Sequence, residues 1–99
     1  MYVGVTSVAT GDQPRENAAI VGEEMVGWLR EVEGFKGLAI LYQPGRAVGL
    51  TFWESREVAE RLLPLRMEFL ERMLSVANVE VERIEGFDVV YRDGDQPSV

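Results

Sequence analysis

Residues 34–55 run GFKGLAILYQPGRAVGLTFWES, and the reading of this stretch decides the fold. Phe35 to Tyr42 has the β-branched and apolar content of a strand, as does Ala47 to Trp53. Gln43-Pro44-Gly45-Arg46 is the turn between them. A two- or four-residue loop at that turn pairs Tyr42 with Ala47, Ile40 with Gly49 and Leu38 with Thr51. A slip of one residue would exchange the two faces of the hairpin. In this register Val48, Leu50 and Phe52 fall on one face of the third strand, and Ala47, Gly49, Thr51 and Trp53 on the other. Leu38 to Tyr42 is apolar at every position, so both faces of this hairpin call for cover.

Upstream, residues 2–9 (YVGVTSVA) read as a first strand. Gly11-Asp12-Gln13-Pro14 then interrupts the chain, with Asp12 or Gln13 available as a helix cap and Pro14 tolerated in a first turn. Ala18, Val21, Met25, Trp28, Leu29 and Val32 recur at three- and four-residue steps, the period of an amphipathic helix, and Gly34 stops it. Downstream, Ser55 is a good N-cap, with Glu57 in the acidic first turn of a helix running to about Val76. Pro64 removes one backbone hydrogen bond, so this helix is expected to kink or to divide into a short and a longer piece. Glu57/Arg61 and Glu68/Arg72 are spaced as helical ion pairs. Val79 to Tyr91 reads as the last strand, with an irregularity expected near Arg83-Ile84-Glu85, and 93–99 as a loose tail. The order is βαββαβ: an α+β, ferredoxin-like domain over residues 1–92, with a four-stranded antiparallel sheet and two helices on one face.

The chain has 99 residues, ten basic against seventeen acidic, for a net charge of −7. That balance argues against nucleic acid as a partner. With no Cys and no His, disulfides, thiolate catalysis, zinc fingers and His-dependent triads are excluded. Glu80, Glu82 and Glu85 at strand spacing read as a solvated face, and no metal site is expected. The longest apolar run, Leu38 to Tyr42, is far below the roughly 20 residues of a membrane span, and a cytoplasmic location is expected. A core this small, beside a hairpin apolar on both faces, points to a second copy: a homodimer closed through the sheet face.

Two features bear on function. On a helical wheel Leu62, Leu65, Phe69, Leu70, Met73, Leu74 and Val76 form one arc, and Arg66 falls near its middle. A guanidinium buried there must meet a carboxylate, backbone carbonyls or an anionic ligand, because burying it unpaired costs roughly several kcal/mol; in the first turn after Pro64 it could instead snorkel out or pair with a nearby Glu. The second feature is small residues on facing layers. Gly22 sits in the apolar arc of the first helix and Ala47 and Gly49 on the sheet. They either let the layers close or leave a ligand cavity. Tyr42, Thr51 and Trp53 would be its polar handles, although Trp53 could equally staple the following helix to the core.

The βαββαβ order, the segment Leu50-Thr51-Phe52-Trp53-Glu54-Ser55 and the preceding Gly34-Phe35-Lys36-Gly37 resemble the antibiotic biosynthesis monooxygenase (ABM) family. The resemblance implies a dimeric α+β barrel with a pocket between sheet and helices in each protomer. Some members oxygenate polycyclic aromatic phenols without metal or flavin, and others degrade haem with a histidine on the second helix. The absence of His sets haem degradation aside, and strand one offers only Thr6 and Ser7 near the oxygen site. The implied activity is a cofactor-independent monooxygenase acting on a small aromatic phenol or polyketide-type substrate. Arg66 and Trp53 would be catalytic; Tyr42, Thr51, Gly22 and Phe69 would bind the ligand; no cofactor or metal is called for. The alternative is a non-catalytic dimeric small-ligand-binding or interaction domain.

Overall fold

The computed structural model describes residues 1–77 and 79–94. The elements are β1 (Tyr2–Ala9), α1 (Arg15–Leu29), β2 (Phe35–Gln43), β3 (Arg46–Trp53), α2 (Arg56–Arg61), α3 (Leu63–Ala77) and β4 (Glu80–Asp88). One four-stranded sheet has the order β2-β3-β1-β4, and each neighbouring pair is antiparallel. This is the ferredoxin-like arrangement expected from the element order.

The central hairpin has the expected register: Tyr42 opposes Ala47, Ile40 opposes Gly49 and Leu38 opposes Thr51. Pro44 and Gly45 form a two-residue loop, and Gly45 at φ 86° supplies the positive φ of a type II turn with proline ahead of it. At the other end of the hairpin Phe35 opposes Trp53 while Gly37 opposes Phe52, leaving Lys36 as a bulged residue. On β1, Val3, Val5 and Ser7 oppose Phe52, Leu50 and Val48, so these residues form the face turned away from the helices.

The helix after Ser55 divides. The Ser55 hydroxyl accepts from the Val58 amide at 3.2 Å and caps α2. Leu62 separates α2 from α3, although its own amide and that of Arg66 still reach the carbonyls four residues back. Pro64 is the second residue of α3, where a missing amide loses nothing. Of the two expectations for Pro64, a kink or a short helix followed by a longer one, the second holds, which makes three helices among the described residues. Of the two expected helical ion pairs, Glu68–Arg72 closes at 3.1 Å, while Glu57–Arg61 is not among the ion pairs of the described residues and Arg56–Glu60, at 3.6 Å, spans α2 in its place.

Several boundaries differ from the sequence reading. The N-cap position of α1 falls at Pro14 and not at Asp12 or Gln13, and the helix ends at Leu29, short of Val32. β4 ends at Asp88, and Val90 and Tyr91 beyond it are 93% and 84% exposed. Tertiary cover ends there, and apolar type alone does not make a strand. The irregularity of β4 falls at Glu82, because Ser7 opposes Arg83 and Val8 opposes Val81. The Val76 side chain and the tail from residue 95 lie outside the described residues. No helix among the described residues is long and apolar enough to cross a membrane.

Candidate functional site

The core is off-centre. Leu29 of α1, Trp53 at the end of β3 and Ala59 of α2 are almost wholly buried and pack together, with Phe35, Val58, Leu62 and Phe69 around them. This cluster pins α2 against the sheet. Beside it, between α1, α3 and the covered face of the sheet, is a cavity of about 140 Å³. Its walls are Val8, Ile40, Ala47, Gly49 and Thr51 from the strands, Ala18, Val21 and Met25 from α1, and Met67, Phe69, Leu70 and Met73 from α3. The small residues Ala47 and Gly49 are part of why the layers stay apart. The volume is close to that of an engineered cavity, about 150 Å³, that admits benzene. Ile84 of β4 lines the cavity and is yet 45% exposed, and the lining residues Pro14 and Asn17 at the start of α1 are exposed as well, so the cavity is not sealed from solvent.

Arg66 is the only charged residue among the described residues of the wall. It projects from the first turns of α3, and its Nη1 donates to the Ala59 carbonyl at 2.8 Å. Its guanidinium carbon lies 5.4 Å from the centre of the Trp53 ring, within cation–π range. No carboxylate of the described residues forms an ion pair with it. Burial lowers its pKa from the ordinary arginine value, and the nearby Tyr2 opposes that shift. Among the described residues Arg66 meets one backbone carbonyl and, in addition, one aromatic face, and no carboxylate pairs with it.

The floor beneath the guanidinium is Gly4. A Cβ built there would lie 2.7 Å from Arg66 Nη2 and 2.8 Å from Thr51 Oγ1. A glycine on β1 therefore lets the arginine lie flat against the sheet beside the threonine. Thr51 Oγ1 accepts a hydrogen bond from Trp53 Nε1 at 2.9 Å, which leaves its own proton free to donate. Gly86, directly across from Gly4 on β4, plays the same part for Tyr2, whose phenol oxygen lies against it.

The expected site residues divide. Arg66, Thr51, Tyr42 and Phe69 line one cavity together. The Tyr42 hydroxyl donates to the Gln13 carbonyl at 3.0 Å, tying β2 to the start of α1. Phe69 packs on Trp28 of α1, ring centres 5.1 Å apart, and so joins the two long helices. Trp53 borders the cavity but is 0% exposed. It holds the guanidinium and the threonine in place and, in this form, offers a ligand no surface. Gly22 is not among the cavity residues. It lies in a shallow groove beside β2, where a Cβ would come within 3.1 Å of Ile40 Cγ1, so it serves close packing. The Ala59 carbonyl, Gly4, Tyr2 and Ile84 were not singled out from the sequence. Strand parity could have signalled Tyr2, Gly4 and Ile84, which share a face with Thr6, but no local signal marks the Ala59 carbonyl of α2.

Solved structures share this architecture. A protein of Deinococcus radiodurans described as a candidate antibiotic biosynthesis monooxygenase superposes with a TM-score of 0.66 at 15% identity, over 97% of this chain and 99% of that one. A monooxygenase of Streptomyces coelicolor, solved with nanaomycin D, superposes with a TM-score of 0.61 at 20% identity, over 98% and 92%. The chain has the fold of the antibiotic biosynthesis monooxygenases. No family sequence profile and no curated protein matches it in sequence. At these identities an ABM-type fold carries no substrate with it.

Proposed function

We propose that the cavity binds a small aromatic phenol or related polyketide-type compound through its anion, and that the protein acts on it as a cofactor-free monooxygenase. The observation that carries this reading is Arg66: a guanidinium without a carboxylate partner, anchored at Ala59 and Trp53, on the wall of an otherwise uncharged cavity. An opposite charge at contact lowers an acid's pKa by about one to three units, which enriches the electron-rich phenolate. In the reaction a ring C–H becomes C=O. One atom of O₂ enters the product, and the other leaves as water with the C–H and O–H hydrogens. The substrate supplies all four electrons.

Oxygen consumption over a panel of dihydroxy aromatics and anthrones tests it. Uptake is expected with at least one panel member, reduced about a hundredfold in Arg66→Ala, the usual scale for loss of a charge-stabilising donor. Silence across the panel, or an unaffected variant, would sink the enzyme reading.

A second reading, a non-catalytic small-ligand-binding domain, is favoured by one observation. Among the described residues, no cavity side chain is a carboxylate that could take a proton at neutral pH, and the chain has no His. It predicts saturable ligand binding without oxygen uptake.

We further propose a homodimer through the uncovered sheet face. Val3, Val5, Val48 and Leu50 lie there, with Leu41 51% and Phe87 49% exposed.

A further inference from the structure

We infer that the site selects acids already ionised at neutral pH, namely carboxylic acids, vinylogous acids and electron-poor phenols, over simple phenols, and that the ligand's proton goes to bulk water and not to the protein. This rests on the reading of the cavity as an anion site and narrows it.

Two donors lie on the cavity wall beside Gly4. Arg66 and Thr51 both line the cavity, Arg66 Nη2 and the Thr51 hydroxyl both pack against Gly4, and both have hydrogen to give. Arg66 Nη1 is held by Ala59, so the fork cannot turn away. This wall presents donors and a positive charge, and an acceptor oxygen bearing negative charge satisfies both. A neutral phenol satisfies one.

To bind here as an anion, a phenol must first give up its proton. A simple phenol, with a pKa near that of tyrosine, is ionised in about one molecule in a thousand at pH 7. Contact with one cation lowers that pKa by about one to three units, which alone leaves most simple phenols protonated. A base would close the gap. Every described cavity residue other than Arg66 is uncharged, and the Tyr42 hydroxyl already donates to Gln13. The groups around Arg66 add no base. From β1 comes Tyr2, and from α2 comes Arg56, 5.7 Å from the centre of the Tyr2 ring and a second positive charge. From β4 the wall is Ile84, and from α3 itself Met67 and Leu70. The partial desolvation of Arg66 favours an arriving anion for the same reason.

The test is binding by NMR titration, independent of turnover. At pH 7 benzoate is expected to bind at least tenfold more tightly than benzamide, its uncharged counterpart. Across para-substituted phenols of rising acidity, affinity should increase about tenfold per pH unit up to each ligand's own pKa and then level off to pH 9. That slope reports one proton lost to solvent on binding. Phenol affinity independent of pH below the ligand's pKa would overturn the inference, since the proton would then remain in the complex. The anion site itself would stand if Arg66→Gln still weakened benzoate. If Arg66→Gln binds benzoate as wild type does, or if wild type binds neither probe, the anion site is wrong and the inference falls with it. Arg66→Lys guards against a folding defect in the glutamine variant: it keeps the charge and should retain the preference for benzoate over benzamide.

Discussion

A side chain at Gly34 would place its Cβ 2.5 Å from Val58 Cγ1, and the backbone there sits at φ 90°. Both constraints act at one residue. The left-handed conformation costs a residue with a Cβ roughly 1–2 kcal/mol, and overpacking adds roughly 1–3. Gly34→Ala is therefore expected to lower unfolding stability by about 2–5 kcal/mol with an unchanged m-value in urea. A loss below about 1 kcal/mol would mean that Val58 yields and that the close approach is not a constraint. The sequence reads this glycine as the stop of the first helix, whereas α1 ends five residues earlier, at Leu29. Its contact with α2 was not legible, because the two meet only after the hairpin has brought the chain back; the Gly34 carbonyl then accepts from the Glu54 amide at 2.8 Å. Trp53 carries the same lesson. Its residue type is compatible with a cavity wall or a core staple, and only the packing of Leu29 and Ala59 against it makes it wholly buried. The reverse holds for Arg66. A cation on an apolar arc is an anomaly visible in the sequence, because charge and helical period are both local properties.

Among the elements, the central hairpin was the most legible. Its register follows from a two-residue Pro44-Gly45 loop and from alternation along β3, both local signals. The α2–α3 pair was legible in outline, since Pro64 announced a division whose form depends on where the first turn of α3 begins. Because α2 has only six residues, its cap matters more than it would in a long helix. Ser55→Ala should cost about 1 kcal/mol in thermal or urea unfolding, and Ser55→Gly only a few tenths. Equal losses for the two would show that the Val58 hydrogen bond contributes nothing. The same change should loosen the Ala59 carbonyl that holds Arg66, so anion affinity should weaken together with stability. The bulge in β4 was legible to within a residue, as a break in alternation near Arg83, but its place at Glu82 was not. That place is settled by pairing with Ser7 and Val8, more than seventy positions away in the chain.

At the scale of the whole molecule, the helices cover one face of the sheet and leave the other to Val3, Val5, Val48, Leu50 and the half-exposed Leu41 and Phe87. If a second copy covers that face, light scattering should give twice the 11.1 kDa protomer mass, and Leu41→Glu should return a monomer. A wild-type monomer at micromolar concentration would refute the homodimer and leave the cavity, on the opposite side of the sheet, as it stands. The sequence by itself determined the order of elements, the hairpin register, the antiparallel sheet and the presence of a displaced arginine, because these rest on periodicity, turn chemistry and residue type within a few positions. Only the tertiary structure decided that Gly22 packs while Ala47 and Gly49 line a cavity, and that Trp53 supports Arg66 from beneath. It alone decided that Gly4 is the space in which the guanidinium lies. Each of those depends on which atoms from distant segments arrive at the same point, and no local pattern encodes that separation.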